Sequence, residues 1–334
     1  MMAETHSDWA DRIVFVTGGT GFVGSHLVDA LLDRGARVRC LVRTDPKWLT
    51  DLPVEMIEGT LHDEDALARG VQGASVVVHM AGRTRAPVRE AFIRDNVEGT
   101  IHLMEAVAKA GTVEHTIVAS SLAAVGSGGS GIVDETTPLK PVSDYGYSKA
   151  HMEEALQAWY DRTPVTIIRP PAVYGPRETD ILTFFQSVAR GVCPIVGKGS
   201  ADSLSLVHAR DLVGGILLSV GKDVAVGQTY FMGGPAQVAW NRVRDAAAAA
   251  LGRRVLTLPV PRAAVPLVGR VSEWIGTLTG TYPPLNREKA REILEAALMC
   301  SSDKAREDLG YTPSVKLEEG IRETLTWYRE QGWI

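Results

Sequence analysis

Apolar positions in this chain fall into short unbroken runs separated by stretches in which they recur every three or four residues. Ile13–Val16, Val38–Val42, Val54–Glu58, Ser75–His79, His115–Ala119 and Val165–Arg169 are runs rich in β-branched residues, the pattern of strands covered on both faces. Between them the spacing turns helical. Phe22, Leu27, Val28, Leu31 and Leu32 share one face before Gly35. Asp63–Val71 is a short helix, a long one runs from about Val88 to Lys109, and Tyr145–Tyr160 is a third. Strand and helix alternating in this way predict an α/β fold, a doubly wound parallel sheet.

Beyond Pro176 the alternation breaks up, which predicts a smaller C-terminal domain built from separated pieces. Helices are expected at Thr179–Arg190, Asp211–Val220 and Val238–Leu251, and strands at Leu204–Val207 and Gln228–Met232. The division is residues 10–176, with returning segments near 205–232, for a dinucleotide-binding domain, and 177–204 with 233–330 for a substrate domain. Leu267, Val268, Val271, Trp274, Ile275 and Leu278 form an apolar helical stripe. Such a stripe is read first as core or dimer surface, and second as a substrate lid or membrane-resting face.

The first strand ends in Thr17-Gly18-Gly19-Thr20-Gly21-Phe22-Val23-Gly24 and a helix follows. Strand, glycine turn and helix together make a pyrophosphate site. Glycines let the backbone approach the phosphates, and the free amides and dipole of the helix start favour the anion. Gly18, Thr20, Gly21, Phe22, Val23 and Gly24 are the expected cofactor contacts there. An acidic residue at the end of the second strand would select NAD by taking the ribose hydroxyls. Arg43 follows Val42 instead, with Arg39 and Lys47 nearby. A guanidinium can bind a 2′-phosphate through paired bonds, so NADP is favoured over NAD, with Asp45 as the alternative ribose partner. Met80, Ala81 and Gly82 close the fourth strand with small residues where the cofactor passes. His79, just before them, is read as a satisfied core residue, and Arg83, Thr84 and Arg85 as solvated loop charge.

The chemical candidates lie further on. Ser121 follows the fifth strand, and a glycine- and serine-rich loop, long enough for a lid, runs to Asp144. Tyr145 and Lys149 are four residues apart, on one helical face. Hydride exchange at a carbinol carbon needs a group that gives or takes the hydroxyl proton. A free phenol titrates near ~10, and a neighbouring ammonium favours its phenolate. Ser121 would hydrogen-bond the substrate oxygen. Tyr147 sits only two residues from Lys149 and faces elsewhere.

Composition narrows the partners. With 35 basic and 40 acidic residues among 334, the formal charge is −5, which points to a small-molecule substrate and to neither a nucleic-acid nor an anionic-membrane partner. Cys40, Cys193 and Cys300 are scattered without metal-ligand spacing, so neither a metal nor a disulfide framework is expected, in keeping with a cytoplasmic protein. The polar start, MMAETHSDWADR, has no signal-peptide pattern, and no membrane span is expected.

The TGGTGFVG string, DNVEGTIHLMEAV, ASSLAAVG and YGYSK, in that order, resemble the extended short-chain dehydrogenase/reductases, with a Rossmann sheet. The resemblance implies that Asn96 supports a water linking Lys149 to solvent and that Lys149 also holds the nicotinamide ribose. It further implies that Pro170 and Val173, before Tyr174-Gly175-Pro176, lie along the nicotinamide. Thr60 stands where the family usually has an aspartate near adenine, with Leu61 after it. Val125 replaces a frequent tyrosine. Members acting on nucleotide sugars carry an arginine, bound to the diphosphate, where this chain has Leu204. The resemblance is therefore nearer to hydroxysteroid dehydrogenases and flavanonol reductases, with the nucleotide-sugar epimerases and dehydratases as the alternative. It also implies a homodimer through the helices bearing Asn96 and Tyr145.

Overall fold

The computed structural model describes residues 9–127, 131–197, 203–279 and 286–334. Seven strands, β1 (Ile13–Thr17), β2 (Arg37–Val42), β3 (Glu55–Glu58), β4 (Val76–His79), β5 (His115–Ala119), β6 (Val165–Arg169) and β7 (Thr229–Phe231), form one parallel sheet. Their order is β7-β6-β5-β4-β1-β2-β3. The chain therefore reverses its direction of winding between β1 and β4, and ligands of open α/β sheets bind outside the carboxyl ends at such a point. In register, Val16 lies between Cys40 on β2 and Val78 on β4.

Both faces of the sheet are covered, which is why its strands read as continuous apolar runs. On one face Leu27 and Leu31 of the helix Phe22–Asp33 pack with Leu212 and Ile216 of the helix Ala209–Ser219. On the other, Phe15 and Val77 meet Leu67, Val71, Leu103 and Val107. A separate core of Phe185, Val188, Leu206, Val243, Ile321 and Tyr328 underlies the later segments. These segments include a three-stranded sheet (Ala172–Tyr174, Ser203–His208, Gln237–Ala239) and a parallel pair (Val192–Val196, Leu256–Val260). No helix among the described residues is long and apolar enough to cross a membrane.

Four expectations are revised. The helix from Val88 is helical over Arg89–Ala110, but Ile93–Glu98 is a π-type turn, one residue wider than an α-turn. The stretch before Asp144 is no free lid. Gly126 bridges to Lys140, Ser127 N donates to Lys140 O at 2.8 Å, and Ile132–Val133 pairs with Met299–Cys300; residues 128–130 lie outside the described residues. Arg83 and Arg85 are ion-paired, with Asp95 and Asp180. Finally, the apolar stripe is not core: Leu267 is 63% exposed and Trp274 67%. The helix Val265–Thr279 instead turns Val265 and Gly269 inward. Side chains of Ile275 and Leu278 lie outside the described residues.

Three histidines are buried and neutral. His79 lies between the Thr17 and Thr100 hydroxyls, at 2.6 and 2.8 Å, and burial pushes its pKa down to about 3. Burial likewise holds His115 at about 4 and His208 at about 3. Groups depressed in the fold contribute stability that is present above the unfolded value near 6.5 and lost as pH falls toward the folded values. Stability to urea is therefore expected to decline from about pH 6.5 downward, before carboxylates titrate. His79 alone accounts for about 2 kcal/mol by pH 5. A urea midpoint flat between pH 7 and pH 5 would contradict this.

Candidate active site

The site is assembled from the carboxyl ends of β1, β4 and β5 and the start of one helix. After β1 the chain turns through Gly18, whose φ is +78°. A Cβ there would lie 2.5 Å from the Ala81 amide nitrogen. Only glycine lets the first turn pass against Met80 and Ala81, and the cradle beside them is left open for phosphate oxygens. Gly21 caps the helix Phe22–Asp33 without a side-chain hydrogen bond to its amides. Gly18, Thr20, Gly21, Phe22, Val23 and Gly24 thus lie at one helix start, beside Met80, Ala81 and Gly82. The loop after β6 is tied to this helix: His26 Nε2 meets Pro176 O at 2.8 Å, and Arg177 pairs with Asp29 at 2.8 Å. This holds Pro170 and Val173 on the same side of the sheet, where Pro170 O accepts from Leu122 N.

At the end of β2, Arg43 is exposed. Arg39 is committed elsewhere. It pairs with Glu55 and donates to the carbonyls of Arg69, Gly70 and Gln72, closing the end of the helix Glu64–Val71. Asp45 accepts from Lys47 N in a local turn. Thr60 is exposed and accepts from His62 N, while Leu61 packs over Gly99.

Ser143 caps the helix Asp144–Leu156, its Oγ accepting from Gly146 N at 3.1 Å. Gly146 permits a close approach, since a Cβ there would lie 2.3 Å from Ala123 O. The helix start is thereby pressed against the Ser121–Ala124 turn, which brings the Tyr145 hydroxyl toward Ser121. Tyr145 is half-buried, its ring 6.2 Å from that of Phe92. Burial pushes the phenol up to about 12, with Ser121 pulling it down in part. Lys149, one turn further on, reaches back to the sheet. Its Nζ donates to Ala119 O at 2.7 Å, at the end of β5. Burial brings this ammonium down to about 8, against the raising effect of Glu153 one turn further on. Tyr147 faces elsewhere, its ring tilted against that of His151 at 4.1 Å and lying under Arg89.

The π-type turn swings Asn96 inward. Its Oδ1 accepts from Arg83 N at 2.6 Å, and its Nδ2 donates to Ser148 Oγ at 2.8 Å and Arg83 O at 3.0 Å. A Cβ on Gly82 would lie 3.2 Å from Asn96 Oδ1 and 3.3 Å from Lys149 Nζ. The glycine turn, Gly82, Asn96, Ser121, Tyr145 and Lys149 are therefore gathered at the carboxyl side of the sheet, where open α/β sheets have their ligand crevice; Arg43 and Thr60 follow the ends of β2 and β3. The crevice suits a dinucleotide at one end and proton exchange with a bound oxygen at the other.

Sequence reasoning missed the buried support beneath. Glu153 and Arg169 form a paired ion contact, 2.5 Å at its shortest, with side chains 5% and 7% exposed. Ser120 also donates to Glu153. The available signal was Glu153 itself, one turn beyond Lys149 on the same face, together with a charged residue closing the apolar run of β6. Leu204 is buried in the second core, so no cation stands at that position.

The family model described as "NAD dependent epimerase/dehydratase family" matches residues 14–233. The chain is 33% identical over 336 residues to the ceramide reductase of Caulobacter vibrioides, covering 97% of each. It is 30% identical to a 3 beta-hydroxysteroid dehydrogenase/Delta 5-->4-isomerase of Mycobacterium tuberculosis, over 94% of this chain and 90% of that one. Among solved structures it resembles DesIV, a dTDP-glucose 4,6-dehydratase of Streptomyces venezuelae with NAD and TYD bound. The TM-score is 0.77 at 26% identity, covering 96% and 98%.

Proposed function

The chain belongs to the NAD-dependent epimerase/dehydratase family and is an NAD(P)-dependent enzyme of the extended short-chain type, and on that premise we propose a ketone/secondary-alcohol oxidoreductase that prefers NADP. Its substrate is a moderately apolar small molecule, steroid- or flavanonol-like in character. The observation that carries this reading is the Ser121–Tyr145–Lys149 cluster beside Gly82 and the glycine turn. Leu204 in the core weighs against a diphosphate substrate. The names of the two relatives, a ceramide reductase and a hydroxysteroid dehydrogenase/isomerase, support an apolar one.

A nicotinamide cofactor held at the glycine turn supplies or accepts the hydride. The chain's own residues manage the proton. A phenol held near 12 is protonated at neutral pH, so Tyr145 can donate to a ketone oxygen as it becomes an alkoxide and take the proton back in the reverse direction. Ser121 hydrogen-bonds the same oxygen. Lys149, bonded to Ala119 O, brings positive charge to the crevice and holds the ribose, and Asn96 fixes the Arg83 backbone beside it. The three cysteines are free and buried, which suits work in a reducing cytoplasm. We include a homodimer through the helices bearing Asn96 and Tyr145 in the proposal.

The test is turnover of a panel of cyclic and aromatic ketones with NADPH and NADH, alongside thermal-shift titration with NAD, NADP and nucleotide sugars. The expected result is ketone reduction with NADPH preferred. Copurified NAD with stabilisation by UDP- or dTDP-sugars would replace this reading with a nucleotide-sugar epimerase or dehydratase. Arg43→Asp is expected to lower kcat/KM for NADPH by about 10–100-fold, the worth of a charge-assisted pair, and to leave NADH equal or better. Unchanged NADPH kinetics in that variant would remove Arg43 from cofactor choice.

A further inference from the structure

We propose that the outward face of the helix Val265–Thr279 is a docking surface for an anionic lipid bilayer. The helix is inverted relative to a water-facing one. Its inner side carries Val265, 3% exposed, and Gly269, where a Cβ would lie 2.9 Å from Asn286 O on the segment entering the helix Arg287–Glu295. Its outer side carries Leu267, Val268, Val271 and Trp274, between 43% and 67% exposed. At 100° per residue these four fall within a single arc of about 120°. Leu256 and Leu258, on the strand just before, are 66% and 45% exposed. Six of the ten large apolar side chains exposed among the described residues thus fall within residues 256–274. Scattered exposed leucines need no explanation, but a contiguous apolar helix face does.

Charge selects the occupant. The whole chain carries −5. Residues 253–274 hold Arg253, Arg254, Arg262 and Arg270 against the single acid Glu273, and those four arginines are exposed. An exposed apolar helix face with Trp and Leu, in a segment whose exposed charges are mostly arginine, matches helices that lie in the headgroup layer of anionic membranes. A second copy of this chain fits less well, because an isologous contact would bring two arginine-rich segments together. The surface is also close to the candidate site. The helix Arg287–Glu295, on which it rests, accepts hydrogen bonds from Ser143 Oγ through Glu292 and from Asp144 N through Glu288, beside Tyr145. The inference stands on this face alone and does not depend on the substrate proposed above.

The full chain would be sedimented with vesicles of phosphatidylcholine alone and of phosphatidylcholine with phosphatidylglycerol. Binding to the anionic vesicles is expected, weakened by salt and weaker on the neutral ones. Leu267→Glu/Val271→Glu is expected to lower the partition coefficient by about tenfold or more with Tm unchanged. A blue shift of tryptophan emission on binding should be smaller in Trp274→Phe. Wild-type protein that stays in the supernatant would overturn the proposal, as would a double variant that binds as well as wild type. So would a double variant whose only change is conversion of a dimer to a monomer.

Discussion

Tyr145→Phe is expected to lower kcat by about 10²–10⁴-fold, the contribution of a positioned proton donor, while leaving cofactor binding unchanged. The substitution removes one oxygen and keeps the ring that packs against Phe92. Nothing at the glycine turn depends on that oxygen, because Gly18 is seated against Met80 and Ala81 by backbone contact alone. Only the interaction with Ser121 is lost, and a hydrogen bond in a half-buried position is worth about 1 kcal/mol at most. Thermal shift with NADP and single-turnover kinetics therefore read two separate properties. A variant that binds cofactor and turns over as wild type would remove Tyr145 from the chemistry. Loss of cofactor binding would show instead that the phenol has a structural task at the crevice. Because burial holds the phenol high in the free chain, the reductive direction should fall off only at alkaline pH, following Lys149 near 8 before Tyr145 near 12.

The seven-stranded sheet and the glycine turn were legible because they are written locally. A strand covered on both faces must be apolar along its whole length, and a backbone passing Ala81 at contact distance must lack a Cβ. Tyr145 and Lys149 were legible for a similar reason, since four residues of helix always bring two side chains to one face. What stayed hidden was set by contacts distant in sequence. The π-type turn at Ile93–Glu98 adds one residue to a turn without disturbing the apolar spacing, although Asn96 within it did hint at a local task. Arg39 looked available to a cofactor phosphate until the carbonyls at the end of the helix Glu64–Val71 were seen to occupy it. Arg85 meets Asp180 across 95 positions of sequence. The helix Val265–Thr279 was misleading in the opposite sense. Its periodicity was correct, but apolar spacing alone does not say which face turns inward, and the small Gly269 takes the inner side.

Glu153→Ala is expected to be the most destabilising single change near the site, by about 3–5 kcal/mol, because it strands a buried guanidinium. Arg169 makes three of its hydrogen bonds to Glu153, and its remaining terminal nitrogen has no partner among the described residues. For a chain of this length the fall in Tm is on the order of 5–10 °C. The paired replacement Glu153→Leu/Arg169→Met removes both charges and is expected to recover most of that loss, since apolar substitution of a buried ion pair is often neutral or favourable. The two variants should nevertheless share one defect. Glu153 raises the Lys149 ammonium, against the burial that lowers it. Without the carboxylate the lysine loses its proton at lower pH, so the alkaline limb of kcat/KM should move below its wild-type position near pH 8 in both. A double variant with Tm restored and the limb still displaced identifies Glu153 as a positioning residue acting through Lys149. A limb that returns with Tm would reduce the pair to a structural contact, and a single variant as stable as wild type would mean that water reaches Arg169 and the contact is not the dry ion pair described.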